Sequence, residues 1–386
     1  MHKLRRYVIL TTDSKILLKT FPRRGGDGVD GREIKRVTIS EAAPGMITAQ
    51  DIYSRTDQLI LMKDTVLGAD SIAKLMFYSV GGIWVYAKEG QDFKEDAYTQ
   101  ALRKGTDFHE FQDVYGDVVK SVRGILEQFM LGEKPIDSEV LFDSVKKMIG
   151  EARSNAHIFN MLHCIRDSED MVFEHSVNVA LICNVFADWM HLADEDKQVL
   201  TVAGLLHDAG KLLVPESILN KPGRLTDEEF DIAKMHAESG YEILKNAEID
   251  ERIKKAALDH HERFDGSGYP AGKSGNEIDM MSSIVGIADA YDAMTSRRIY
   301  RGALCPFDVI RVFEEEGMNL FNPRYLLPLL GKMAETYIHH TVQLSDGSKG
   351  EIVMINPFSL AAPVVRVDST FVDLAKNEAL KIDAVL

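Results

Sequence analysis

Residues that bind transition metals well recur between positions 175 and 289 of the sequence: His175, the pair His207-Asp208, His236, the pair His260-His261, and Asp289. Neutral imidazoles offer nitrogen lone pairs, and carboxylates offer anionic oxygens that can bridge two ions. Such a mixed set suits iron, manganese, zinc or nickel, whereas calcium or magnesium would be held by oxygens alone. Adjacent positions on a helix point about 100° apart. At His207-Asp208 the imidazole can therefore bind one ion while the short carboxylate reaches towards another. Lys211, three residues after Asp208, shares its helical face and is placed to meet a phosphate. A single helical histidine is more often a surface or hydrogen-bonded core residue than a ligand. His109, His157, His163, His191, His339 and His340 have no such companions and are read as structural.

The elements that must position this set follow from the texture of the chain. Residues 150–337 are helical in pattern, punctuated by Pro215, Pro222, Pro270, Pro306 and Pro323 at helix ends or turns. Residues 89–149 carry apolar positions at helical spacing, such as Val119, Val122, Ile125, Leu126 and Phe129, and are read as linker or dimerisation helices with an amphipathic packing face. Residues 1–88 read as a small α+β or barrel-like regulatory domain, with turn chemistry at Pro44-Gly45 and a strand in Gly82-Ile83-Trp84-Val85-Tyr86. Residues 338–386 alternate apolar and polar around the turn Asp346-Gly347-Ser348 and predict a short β-rich C-terminal extension packed on the helices. The fold class expected is mainly α, an all-helical domain flanked by these two smaller parts.

With 386 residues, 45% hydrophobic and 27% charged, the chain has the composition of a globular protein of two or three domains. A formal charge of -15 disfavours coating of duplex nucleic acid, which needs a clustered basic surface. No apolar run is long enough for a membrane helix, and no secretory signal is visible at the N-terminus, so a cytoplasmic protein without membrane insertion is expected. Cys164, Cys183 and Cys305 are widely spaced and odd in number, which argues against a disulfide framework and a cysteine zinc site.

The order of the motifs is more specific than any one of them. His207-Asp208, Val214-Pro215, Lys221-Pro222-Gly223, His236, the run His260-His261-Glu262-Arg263-Phe264-Asp265-Gly266-Ser267-Gly268-Tyr269-Pro270, and Asp289-Ala290-Tyr291-Asp292-Ala293-Met294-Thr295-Ser296 follow one another along the chain. This succession closely resembles the HD-GYP family, a branch of the HD superfamily of metal-dependent phosphohydrolases. The resemblance covers roughly residues 168–327.

The resemblance implies an all-helical domain with a centre of two or three metals that hydrolyses the bacterial second messenger cyclic di-GMP to pGpG, with GMP as the product of a second round. It implies that His175, His207, Asp208 and Asp289 form one metal's ligand set. His236, His260 and His261 form the other, with Asp208 bridging. Iron or manganese are the ions expected first, zinc or nickel next. Lys211, Arg298 and Arg301 match positions where the family places cations near the substrate phosphates. Asp292 orients a ligand or substrate group, or makes a structural hydrogen bond; Tyr269 borders the site or meets signalling partner proteins. A homodimer is a further expectation. Ser283 stands where many members have Arg, and Ile299 interrupts the common Arg-Pro-Tyr, but neither removes a ligand. Members of a three-metal type carry a Glu one turn before the first histidine, where this chain has Met171. A thioether is a poor substitute for a carboxylate, and Glu169, Asp170 and Glu174 do not share the His175 helix face, so two metals are expected. The rival readings are a catalytically quiet cyclic-dinucleotide receptor and a phosphodiesterase for cyclic GMP-AMP.

Overall fold

The computed structural model describes residues 34–54, 58–78, 80–86, 105–151, 158–159, 161–162, 171–219, 221, 225–295, 305–377 and 379–386. The N-terminal part has its own small core. Strands β1 (Ile34–Thr38) and β4 (Gly82–Tyr86) pair antiparallel, as do the short β2 (Ile52–Tyr53) and β3 (Leu59–Leu61). Helix α1 (Ala69–Phe77) closes the unit by burying Ile72 and Leu75 against Val37, Ile60 and Ile83. Its opposite side sends Ala73 and Phe77 into the large core of the rest of the chain.

Two amphipathic helices come next, α2 (Thr106–Met130) and α3 (Ser138–Glu151). Phe108, Phe111, Tyr115, Val118, Val119, Val122 and Leu126 recur at three- and four-residue spacing and are all buried. They enter the same core as the helices that follow, so the apolar interior runs without a break across the boundary drawn at 149/150. Tyr115 ties α2 down further by donating its hydroxyl to Asn178 Oδ1 at 2.9 Å.

Helix α4 (Met171–Trp189) is apolar nearly all round, with every residue from Ser176 to Ala187 buried, as a central helix must be. It packs against α5 (Asp194–Leu206) and α9 (Met280–Thr295); between them in the chain come α6 (Asp227–Lys234), α7 (His236–Leu244) and α8 (Glu251–Asp259), the last packed on α5, α7 and α9. Their starts are well specified. Three acidic residues, Asp194, Glu195 and Asp196, occupy the positive end of α5. Thr226 and Glu229 form a reciprocal capping box on α6, and Asp250 caps α8 through Arg252 N.

Helix α10 (Pro306–Val312) widens into a π-helical turn at Phe313–Gly317 and ends at Leu320, and α11 (Pro323–Glu335) follows with Pro at its first position. The π-turn is a junction. Glu314 accepts hydrogen bonds from Leu360 N at 2.6 Å and Ala361 N at 3.1 Å, while Glu316 pairs with Lys74 and Tyr78 of the N-terminal part.

The chain ends in a five-stranded antiparallel sheet in the order β8-β7-β6-β5-β9: β5 (Thr341–Leu344), β6 (Lys349–Asn356), β7 (Ser359–Val367), β8 (Thr370–Asp373) and β9 (Ile382–Val385). Val342, Leu344, Ile352, Val365 and Ile382 point into the helical core. The mainly α architecture with a β-rich C-terminal region thus matches the expectation. Among the described residues, no helix is long and apolar enough to cross a membrane. Cys183 is a buried thiol in α4, with its pKa pushed up by burial, and Cys305 is half-buried; Cys164 lies outside the described residues.

Candidate metal centre

Five helices deliver the histidines and carboxylates to one place, α4 and α9 from within and α5, α7 and α8 from their ends. His175 comes from the second turn of α4 and Asp289 and Asp292 from one face of α9. His207 caps the C-terminus of α5, and His236 opens α7. His260 caps α8 and His261 follows in the turn. The helix does not continue through the His207-Asp208 pair. Asp208 has φ -99° and ψ 14°, between helix and strand, and a 3-10 turn (Ala209–Leu213) follows. The pair therefore does not follow the 100° step of a continuous helix, and the two side chains meet, with His207 Nε2 3.3 Å from Asp208 Oδ2.

Two glycines allow the approach. A Cβ on Gly210 would lie 1.9 Å from the carbonyl oxygen of His236, and one on Gly268 would lie 2.4 Å from Arg263 N. The 3-10 turn can therefore sit directly against α7, and the Gly268-Tyr269-Pro270 loop against the His261 backbone.

Asp208 is the hub, with 1% of its surface exposed. Its Oδ2 lies 3.3 Å from His207 Nε2 and 3.5 Å from His175 Nε2, and its Oδ1 lies 3.4 Å from His236 Nε2 and 3.8 Å from His260 Nε2. Lys211 also reaches Oδ2 with its ammonium. Asp289 Oδ1 lies 3.0 Å from His175 Nε2, and its Oδ2 is 3.9 Å from His261 Nδ1. Ligand atoms of Asp208, His236, His260 and His261 converge in one group and those of His175, His207 and Asp208 in a second, with Asp208 common to both. Asp289 stands beside His175, outside these two tightest groups.

The outer nitrogens explain the inward ones. His207 donates Nδ1–H to Gly204 O at 2.7 Å, His236 to Ala233 O at 2.6 Å, and His260 to Ala256 O and Ala257 O at 3.1 Å each. Carbonyls accept only, so in a neutral ring the proton is on Nδ1 and Nε2 carries the lone pair. Burial keeps His260 well below the usual imidazole range and lowers His236, so both are neutral. Yet His236 Nε2 is 3.4 Å from His260 Nε2, and no proton is available to either for a bond between them. His207 Nε2 and Asp208 Oδ1 are buried and make no hydrogen bond. Several lone pairs converging on unsatisfied buried atoms is the arrangement a divalent cation would complete, and the donor set of imidazoles and carboxylates fits one.

The charges agree. Burial works against ionised Asp208, but the ammonium of Lys211 beside it holds it well below the usual carboxylate range. Asp289 is held down in the same sense by His175. Burial opposes a charged His175, but hydrogen bonds to Asp289 and to Asp292 Oδ2 (2.7 Å from Nδ1) outweigh it and raise its pKa to about 9. Asp292 is thus a buried partner of the His175 ring.

His261 makes no such backbone contact through Nδ1. The ring of Tyr269 stacks on it instead, with centroids 4.6 Å apart and planes 25° apart. The loop carrying Tyr269 is clamped by the buried carboxylate of Glu262, which accepts Ala271 N at 2.7 Å and Lys273 N at 2.9 Å. The sequence reading passed over Glu262 and Arg263; the one signal available was a charged pair embedded between two histidines and a glycine-rich loop. Arg298 and Arg301 lie outside the described residues, as do Glu169, Asp170 and Ile299.

Comparison with known proteins agrees with this geometry. The HD domain family matches residues 138–324. A cyclic di-GMP phosphodiesterase of Pseudomonas aeruginosa is 30% identical over 353 residues, covering 86% of this chain and 85% of that protein. A cyclic di-GMP phosphodiesterase of Thermotoga maritima is 35% identical over 227 residues, 58% of each chain. A 3′3′-cGAMP-specific phosphodiesterase of Vibrio cholerae is 36% identical over 156 residues, 40% of this chain and 36% of that one. Similarity along most of the first relative, together with the ordered His, Asp and Gly-Tyr-Pro motifs gathered around Asp208, places this chain in the HD-GYP family of HD-domain proteins.

Proposed function

We propose that the chain is a metal-dependent phosphodiesterase that opens cyclic di-GMP to linear pGpG. The observation that carries this reading is the convergence of imidazoles, anchored from outside by backbone carbonyls, on a buried, ionised Asp208. That arrangement suits divalent ions and nothing apolar. His175, His207, Asp208 and Asp289 would hold one ion, and His236, His260 and His261, sharing Asp208, a second. Iron or manganese fits this set best. Bound there, the ions would supply a nucleophilic water at neutral pH and charge neutralisation at the phosphate.

The protein's own side chains do the remaining work. Asp208 keeps its charge next to the reacting phosphate because the Lys211 ammonium favours the ionised form. Lys211, half-exposed above Asp208, can turn its ammonium to a phosphate oxygen; Arg298 and Arg301 are assigned the same task. Asp292 fixes the His175 ring, and Tyr269 fixes and covers His261. In the reaction, water attacks phosphorus, the bond to the ribose 3′-oxygen breaks, and that oxygen takes up a proton. The cations offset the negative charge that builds on the phosphoryl oxygens.

Cyclic GMP-AMP is the second reading, favoured by the similarity to the Vibrio cholerae enzyme of that specificity. Side-by-side kinetics of the purified chain with Mn²⁺ or Fe²⁺ under reducing conditions separates the two. Turnover of cyclic di-GMP at the higher kcat/KM supports the first. Binding of either dinucleotide without product release would identify a receptor and overturn the enzyme reading.

A further inference from the structure

The turn that carries His260 and His261 is braced from behind by a side chain of its own motif. Arg263 Nη1 donates to the carbonyl oxygens of His260 and Glu262 at 3.1 Å each. These carbonyls lie at and just beyond the C-terminus of α8, where backbone acceptors lack helical partners and a cation is favourable. The guanidinium in turn rests on the ring of Phe321, 4.9 Å from its centroid. Phe264 N, on the same strand of chain, donates to Leu320 O at 2.9 Å and pins the two segments together.

Phe321 is not held by the helical domain alone. Phe77, the last residue of α1, meets it edge-on with centroids 5.7 Å apart, and meets Phe313 of the π-turn at 5.5 Å and 90°. Lys74 and Tyr78, on either side of Phe77, are anchored on Glu316 of that same π-turn. A continuous line of contacts therefore runs from the N-terminal part through Phe77, Phe321 and Arg263 to the backbone of His260.

We propose, on the two-ion reading of the centre, that Arg263 is a positioning residue that sets the His260-His261 pair for the second ion, and that the N-terminal part tunes that ion's affinity through Phe77 and Phe321. Among the described residues, Arg263 makes its hydrogen bonds to the His260-His261 turn and none to His175, His207, Asp208 or Asp289, although Asp289 on α9 interacts with the guanidinium electrostatically. Arg263 touches neither ion nor substrate; it acts through the carbonyls it holds. Lysine would supply the charge but not the planar fork that serves two carbonyls and a ring face together.

The test is Mn²⁺ titration of the full chain by calorimetry, after chelator treatment, in wild type, Arg263→Ala, Arg263→Lys and Phe77→Leu. Wild type is expected to bind two ions. Arg263→Ala should weaken the second by about 10- to 100-fold and the first by clearly less. Arg263→Lys should recover part of the loss, and Phe77→Leu should weaken the second ion by about 2- to 30-fold, again more than the first. Equal weakening of both ions in Arg263→Ala, or unchanged affinity for both, would overturn the proposal. If Arg263→Ala does not fold, the other two variants decide, and wild-type affinity for the second ion in both would overturn it. A wild-type chain that binds fewer than two Mn²⁺ would instead overturn the two-ion reading.

Discussion

Asp292 Oδ2 lies 2.7 Å from His175 Nδ1, one helical turn along α9 from Asp289, which faces the other nitrogen of the same ring. The imidazole is held between two carboxylates from a single helix face. Asp292 thus fixes which nitrogen points at the centre and makes the ring more basic, as outer partners of metal-binding histidines do. Asp292→Ala should lower metal affinity at the His175 site by about 10- to 100-fold. Calorimetric titration with Mn²⁺ checks this, and affinity unchanged from wild type would contradict it.

Asp208→Ala should have a larger effect, because its two oxygens face opposite histidine groups and, among the described residues, it is the member common to both tight ligand groups. We expect loss of stoichiometric metal and of all measurable hydrolysis. Elemental analysis finding full metal content in the purified variant would refute the bridging role.

Lys211→Ala, Arg298→Ala and Arg301→Ala should keep their metal and lose turnover of cyclic di-GMP, roughly 10²- to 10³-fold for a cation that stabilises developing phosphoryl charge. Unchanged kcat/KM in all three would put the substrate on the other side of the centre.

Gly210→Ala places a Cβ 1.9 Å from the His236 carbonyl oxygen, an impossible distance that forces the 3-10 turn away from α7. We expect destabilisation of at least ~1–3 kcal/mol, the range of overpacked cores, with metal affinity reduced in the same variant. Thermal unfolding with and without Mn²⁺ measures both.

Asp308 supplies a pH prediction away from the centre. Burial, only partly offset by Lys381 and Arg311, raises its pKa to about 7, and its Oδ1 has no hydrogen bond. An unfolded aspartate loses its proton near pH 4. Between that pH and about 7 the folded chain therefore binds more protons, so this residue's contribution to stability falls as pH rises through the window. Asp308→Asn should raise the melting temperature relative to wild type more at pH 8 than at pH 5. A difference that is flat with pH would show that Asp308 is ionised in the fold throughout.

What could be read from the sequence was the chemistry carried by residue type and order. His175, His207, Asp208, His236, His260, His261 and Asp289 announce themselves because imidazole and carboxylate are scarce on apolar helices, and they do converge. Asp292 and Tyr269 were visible as residues, but their roles depend on which ring each one meets, and that is a tertiary fact. The Glu262 clamp and the Arg263 brace were invisible for the same reason: a charged pair in a polar loop looks solvated until its partners, Ala271 N, Lys273 N and Phe321, are known. The sequence reading also carried the helix through His207-Asp208, since periodicity marks where a helix could run but not the residue at which the backbone turns aside.

The widened turn at Phe313–Gly317 sets the phase of everything that follows it. A π-turn amounts to one residue inserted into an α-helix, and each residue removed from a helix rotates the downstream part by about 100°. Glu314 and Glu316, two positions apart, address the C-terminal sheet and the N-terminal helix respectively only in the present phase. Substitutions along this segment can be absorbed one side chain at a time, whereas deletion of a single residue would restore a regular helix and disengage both ends of the chain together. Its length, more than its composition, is the quantity that an insertion or deletion scan of this protein should find least tolerant.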